Sequence, residues 1–304
     1  MSGVIARANE DRAGLGIAMM LVSYMFMASV DTSVKWLVIG GLHAFQLAFV
    51  RYAGALVISL VDIGRGGLSR DRFATDQFGL VLLRSLLLAA SSVFNFIALK
   101  YLPLSLTSAI MFSSPIIVCA LSVPLLGEKV GVWRWGAILL GFFGVLVVIR
   151  PFGVAFHWAT ILPMGNAVAI ALYSILTRRL AGQVATQTLQ FYAALTGTVV
   201  LLVPAVLVWQ SPDSALDWVL MLMLGVWAWF GHELLTRAHG FASSTTLMPF
   251  TYSFMIYLTI SGYLVFGDVP DSFTLLGAAI IMVSGLIIWA RERGRGGVVA
   301  RMRV

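Results

Sequence analysis

The sequence predicts an all-α membrane protein of ten transmembrane helices, arranged as two inverted five-helix repeats. Three observations carry this. Hydrophobic residues make up 60% of the 304 residues and charged ones only 11%, where a soluble domain carries about a quarter charged residues. The mean hydropathy of +0.95 comes from apolar runs spread over nearly the whole chain, each about long enough to cross a bilayer. The third observation is a repeat. The stretch from Ser105 to Val148 holds two apolar runs joined by Gly127-Glu128-Lys129, and the design returns from Thr245 to Ile288. Gly127-Glu128 lies over Gly267-Asp268 at an offset of 140 residues, and after one inserted residue Gly136 and Gly144 lie over Gly277 and Gly285.

Ten spans are expected at 15–39, 43–63, 77–99, 104–126, 133–149, 156–178, 186–209, 218–236, 242–266 and 272–290. Each is read as a helix because lipid offers no water to unpaired backbone groups. The first run stands behind Arg7 and Arg12 and exceeds twenty residues, too long for the apolar part of a signal peptide, so it is read as a retained span. The connections are short apart from Asp62–Asp76, so no soluble domain is expected. The expected organisation is a cytoplasmic tail at 1–14, five-helix repeats at 15–150 and 151–290, and a basic cytoplasmic tail at 291–304.

Charge sets the orientation. With the N-terminus inside, the cytoplasmic side collects fifteen of the Lys and Arg residues, the outer side only Lys100 and Arg150, and Lys35, Arg51 and Arg84 fall within spans. That asymmetry predicts both termini in the cytoplasm. The net charge of +7 is thus a topological footprint with no nucleic acid implied, and the basic tail is expected on anionic lipid head groups. Five spans per half is an odd number, so the second copy enters the membrane from the opposite side, the layout of an inverted-repeat carrier.

The pattern GEK followed by GAILLGFFGVLVV, its second copy GDVPD with LGAAIIMVSGLII, the run Arg51-Tyr52-Ala53-Gly54-Ala55 and the segment Val168 to Arg179 resemble the paired EamA-type halves of the drug/metabolite transporter superfamily. The resemblance covers almost the whole chain. It is strongest to the amino-acid exporters of the YddG type, and so implies an inner-membrane exporter of aromatic and other neutral amino acids working by alternating access. Exporters of other small metabolites or lipophilic drugs, and a passive channel, are the alternatives. In this sequence Asp268 replaces the glutamate of the first turn, and Met282 stands where the first copy has Gly141.

The candidate site residues follow from depth and polarity. Ser91, Ser92 and Asn95 of the third span, Ser113 and Ser114 of the fourth, Asn166 and Tyr173 of the sixth, Trp227 and His232 of the eighth, and Thr251 and Tyr252 of the ninth are expected to line a substrate cavity. Pro115 and Pro249 lie beside them, each removing a backbone N–H and freeing a carbonyl. Hydroxyls and amides would hold a zwitterion, with Trp229, Phe230 and Met255 supplying further apolar surface. Charges inside a membrane are costly and mark pathways or gates, which singles out Asp31, Lys35, Arg51, Arg84 and Glu233. Asp31 can pair with Lys35 one turn on or with Arg51. Glu233 can pair with Arg237, leaving Arg84 to snorkel, or close a gate with Arg84. Glu128 and Asp268 are read as caps of the helices that follow them. Gly165 and Gly231 are expected to permit close helix approach.

Motifs for metal hydrolysis, dinucleotide binding and phosphate cradling are missing from the sequence, and Cys119 as the single cysteine cannot form a multi-cysteine metal site. The expectation is therefore a non-enzyme with no cofactor and no metal. Its partners would be a small-molecule substrate and membrane lipid, in a monomer or weak dimer.

Overall fold

A computed structural model describes residues 13–65, 75–126, 132–150, 157–180, 183–241 and 247–301. Among these residues every regular element is helical. The α-helices are α1 (Ala13–Ile39), α2 (Ala44–Arg65), α3 (Phe78–Tyr101), α4 (Leu104–Met111), α5 (Ser114–Leu126), α6 (Val132–Ile149), α7 (Ile161–Leu180), α8 (Thr186–Leu207), α9 (Ala215–Phe241), α10 (Ser253–Phe266) and α11 (Ser272–Arg301). Single 3-10 turns, Trp158–Thr160 and Met248–Tyr252, lead into α7 and α10. Among the described residues 6 helices suffice by length and composition to cross a membrane, and shorter apolar helices occupy 104–118, 135–149, 250–266 and 272–287. Together these account for the ten expected spans, and the chain is a multi-pass membrane protein.

Three elements differ most from expectation. The fourth span is not continuous: Pro115 has no N–H to give, the Ser113 N–H reaches only to Ile110 O at 3.0 Å, and the Ser113 hydroxyl takes the same carbonyl at 2.7 Å. The helix stops at Met111 and restarts at Ser114. α9 exceeds its predicted span at both ends, and α11 carries helical backbone beyond Ala290 to Arg301, through the segment read as a tail.

The chain divides into two compact units. One contains 1–28, 108–156 and 230–304; the other contains 29–107 and 157–229. In the first, α6 packs on α11 where Gly144 meets Gly277. A Cβ built on Gly277 would lie 2.7 Å from Gly144 O, so only glycine lets these backbones touch, the small-residue contact used where lipid gives no hydrophobic drive between helices. Ser284 Oγ donates to Ala137 O at 2.6 Å across the same pair. Gly231 of α9 takes a similar close approach from α1, 3.3 Å from Ser23 O, and the Ser23 hydroxyl donates to Gly231 O at 2.6 Å.

The turn into α11 corrects one expectation. Gly267 ends α10 in the left-handed region at φ 69°, its N–H bonding Tyr263 O while the Asp268 N–H bonds Gly262 O. Asp268 therefore follows a glycine C-cap. The acid that caps α11 is Asp271, which accepts from the Thr274 N–H at 2.7 Å and pairs with Arg150 from the end of α6. Glu128 and Lys129 lie outside the described residues.

The second unit builds around α3, which packs against α2, α7 and α8. α2 also meets α9 backbone to backbone, where a Cβ on Gly225 would lie 2.7 Å from Gly54 Cα. Outward-facing residues stay apolar, with Leu207 79% and Val199 61% exposed, as a hydrocarbon solvent allows.

Candidate functional site

The second unit holds a run of buried polar side chains along α3. At its centre Ser92, 5% exposed, receives Arg51 Nη1 at 2.6 Å, lies 2.9 Å from the Tyr52 hydroxyl, and bonds Leu88 O at 3.1 Å. Tyr52 also donates to Leu88 O at 2.9 Å. Its ring fills the space a Cβ on Gly197 would need, with ring carbon only 2.4 Å from that position. The Arg51 guanidinium carbon sits 5.1 Å from the Tyr52 ring centre and 6.0 Å from that of Phe96, within cation–π range. One turn on, Asn95 Nδ2 donates to Asp31 Oδ1 at 3.0 Å, and Arg51 acts electrostatically on that carboxylate. Lys35 donates to Leu102 O at 3.2 Å.

Two turns before Ser92 on α3, Arg84 is 4% exposed. The expectation that it snorkels is overturned: Nε donates to Thr177 Oγ1 at 2.7 Å, Nη2 to Tyr173 Oη at 2.6 Å and Nη1 to Leu189 O at 3.2 Å. Its neutral acceptors come from α7 and α8, and they turn a charge into a clamp between three helices. Glu233 takes the simpler of its two expected partners, Arg237, at 2.7 Å across one helical turn.

The remaining candidates are scattered. Ser91 is buried on α3, and Asn166 is buried on α7 at 2% exposure. Trp227 and His232 lie on α9, and Ser114 opens α5. In the first unit Thr251 and Tyr252 lie on the turn before α10, where Tyr252 donates to Met282 O at 3.3 Å and its ring centre lies 5.2 Å from that of Phe112. These two rings stand at positions aligned by the 140-residue offset. The second unit thus unites Asp31, Arg51, Ser92 and Asn95, and separately Arg84 with Tyr173. Sequence reasoning missed Tyr52, Thr177 and Gly197. Thr177 could have been found as the residue one turn beyond Tyr173 on the same face; Tyr52 was hidden by its neighbour Arg51, and Gly197 stands alone in an apolar run.

Asp271 lies outside the spans. Desolvation pushes its carboxyl up, but the Thr274 N–H and hydroxyl and the Arg150 guanidinium outweigh that and hold it below the ordinary carboxylate value.

Polar side chains buried among apolar helices serve both helix-to-helix hydrogen bonding and solute pathways. A model of the EamA-like transporter family matches the chain at residues 14–150 and again at 157–290. The chain belongs to that family. It is a membrane transporter whose relatives carry small molecules. It is 32% identical to a riboflavin transporter of Vibrio cholerae over 92% of this chain and 95% of the relative. Similarity extends to an S-adenosylmethionine uptake transporter of Rickettsia bellii, 26% identical over 92% of this chain and 94% of that one. The pseudopaline exporter CntI of Pseudomonas aeruginosa is 27% identical over 83% and 88% of the two chains. A crystal structure at 17% identity superposes with a TM-score of 0.63 over 92% of this chain and 96% of its own, a likeness of fold. EamA relatives thus include both an uptake carrier and an exporter, of solutes as unlike as these three.

Proposed function

We propose that this EamA protein is a secondary transporter of the inner membrane that carries riboflavin or a heteroaromatic metabolite of similar size by alternating access. The observation that carries the reading is the polar layer of the second unit, in which Arg51 lies against the Tyr52 and Phe96 rings and bonds Ser92, with the Asn95–Asp31 pair one turn on. Hydrogen-bonding groups fixed against aromatic faces suit a flat, polar ring system. The riboflavin transporter of Vibrio cholerae supports it, being similar over almost its whole length.

In this reading the halves at 15–150 and 151–290 are inverted repeats with both termini cytoplasmic. Two matches to one family model support the duplication, and five helices per half would then require the inversion. Neutral amino-acid export is the second reading. It draws on Asp31 and Arg51, a carboxylate and a guanidinium within electrostatic reach of one another, suited to an ammonium and a carboxylate.

The test is counterflow in proteoliposomes containing only this protein, preloaded with unlabelled riboflavin or unlabelled amino acids. Saturable uptake of labelled riboflavin, lost in Ser92→Ala, supports the first reading. Labelled phenylalanine or threonine accumulating in its place supports the second. A flux that never saturates and shows no counterflow would mean a passive channel.

A further inference from the structure

The register of α3 against α7 carries the flavin reading to the part of the substrate that is recognised. The two helices run antiparallel: Arg84 lies opposite Tyr173 and Thr177, Phe94 opposite Gly165, and Ala98 shares an apolar cluster with Leu162. Asn166 therefore stands against the turn of α3 that carries Ser92, the hydroxyl to which Arg51 donates. At this one level the second unit leaves two buried polar atoms without a hydrogen-bond partner among the described residues, the acceptor Asn166 Oδ1 and the donor Arg51 Nε. Ser92 and Asn95 on this part of α3 are committed, Ser92 to Arg51, Tyr52 and Leu88, and Asn95 to Asp31. A buried amide oxygen without a donor is costly, and in a membrane helix such a cost marks a function.

Resting on the flavin reading, we propose that Asn166 Oδ1 and Arg51 Nε recognise an edge of the substrate in which an N–H adjoins a carbonyl, the imide of a flavin-like ring. The imide N–H donates to Asn166 and the neighbouring carbonyl accepts from Arg51. The Tyr52 and Phe96 rings flanking the guanidinium limit the directions in which Nε can point. An amino acid fits this pair less well, since its ammonium would seek a carboxylate and the pair offers only the amide oxygen of Asn166.

The experiment compares riboflavin with 3-methylriboflavin, in which the imide N–H is replaced by N–CH3, in counterflow by the wild-type protein and by Asn166→Leu. The wild type should prefer riboflavin by on the order of tenfold in half-saturation, the worth of one buried hydrogen bond. Asn166→Leu should carry both flavins equally, with riboflavin weakened to the level of the methyl analogue. Equal carriage of the two flavins by the wild type, or a preference that survives intact in Asn166→Leu, overturns the assignment and leaves the flavin reading standing. Carriage of amino acids and of no flavin overturns both. Should Asn166→Leu fail to fold, Asn166→Asp keeps an acceptor at the position and must keep the preference; a folded Asn166→Asp that has lost it refutes the proposal.

Discussion

Replacing Arg84 by lysine should destabilise this protein at least as much as replacing it by methionine, although lysine keeps the charge. Arg84 makes three hydrogen bonds, to Thr177, Tyr173 and Leu189 O. Bonds from a charged donor are worth ~1.5–3 kcal/mol each, so the three together supply about 6 kcal/mol. Against this stands the cost of an arginine in the membrane interior, ~2.5–3.5 kcal/mol on insertion scales. Arg84→Met forfeits the bonds and recovers the insertion cost, a net loss of about 3 kcal/mol by these magnitudes. Arg84→Lys retains the cost and keeps about one of three bonds, because an ammonium cannot reproduce the planar fork, for a loss of about 4 kcal/mol. The assay is reversible unfolding in mixed micelles titrated with denaturing detergent, followed by tryptophan fluorescence. If Arg84→Lys unfolds with the wild type while Arg84→Met is strongly weakened, the charge and not the fork holds these helices, and the reasoning fails.

Gly197→Ala places a methyl into the Tyr52 ring; overpacking of this kind costs ~1–3 kcal/mol, and the displaced hydroxyl should lower transport as well as stability, read by counterflow and unfolding on one sample. Gly285→Ala drives its Cβ to 2.0 Å from the Tyr252 hydroxyl, so the loss of stability in Gly285→Ala should shrink in the Tyr252→Phe background, a coupling a double-mutant cycle reads directly. The Asp271 carboxyl is held below its ordinary value by Thr274 and Arg150. Its contribution should be fully present above the unfolded-state value near pH 4 and be lost as pH falls through the lower folded-state value. Solvent screening keeps this below about 1 kcal/mol, and Asp271→Asn should narrow the difference in stability between pH 6 and pH 3.

What the sequence makes legible here is what the solvent enforces. Hydrocarbon demands long apolar runs with internally satisfied backbone, so the ten spans and the charge asymmetry could be read before any contact was known. Small residues mark helix contacts for the same reason, and Gly144 meets Gly277, although the repeat aligns Gly144 with Gly285. Partner choice was not legible, because a helix sequence gives the face of a residue and not the helix across from it. Arg84 shows why: viewed along one helix it is a cation left to snorkel or to seek Glu233, whereas α7 and α8 bring it three oxygens that let it stay inside. Asp268 and Asp271 fail in the opposite direction. Both look like caps, and the choice between them is made by Gly267, whose left-handed backbone spends Asp268 on closing α10 and delays the next helix to Ser272. Asn166 is the instructive middle case. Its residue type and depth sufficed to name it a cavity candidate. The role proposed for it rests on the register that sets it against the turn of Ser92 and on an oxygen that has no donor among the described residues, in a layer where Ser92 and Asn95 have found partners.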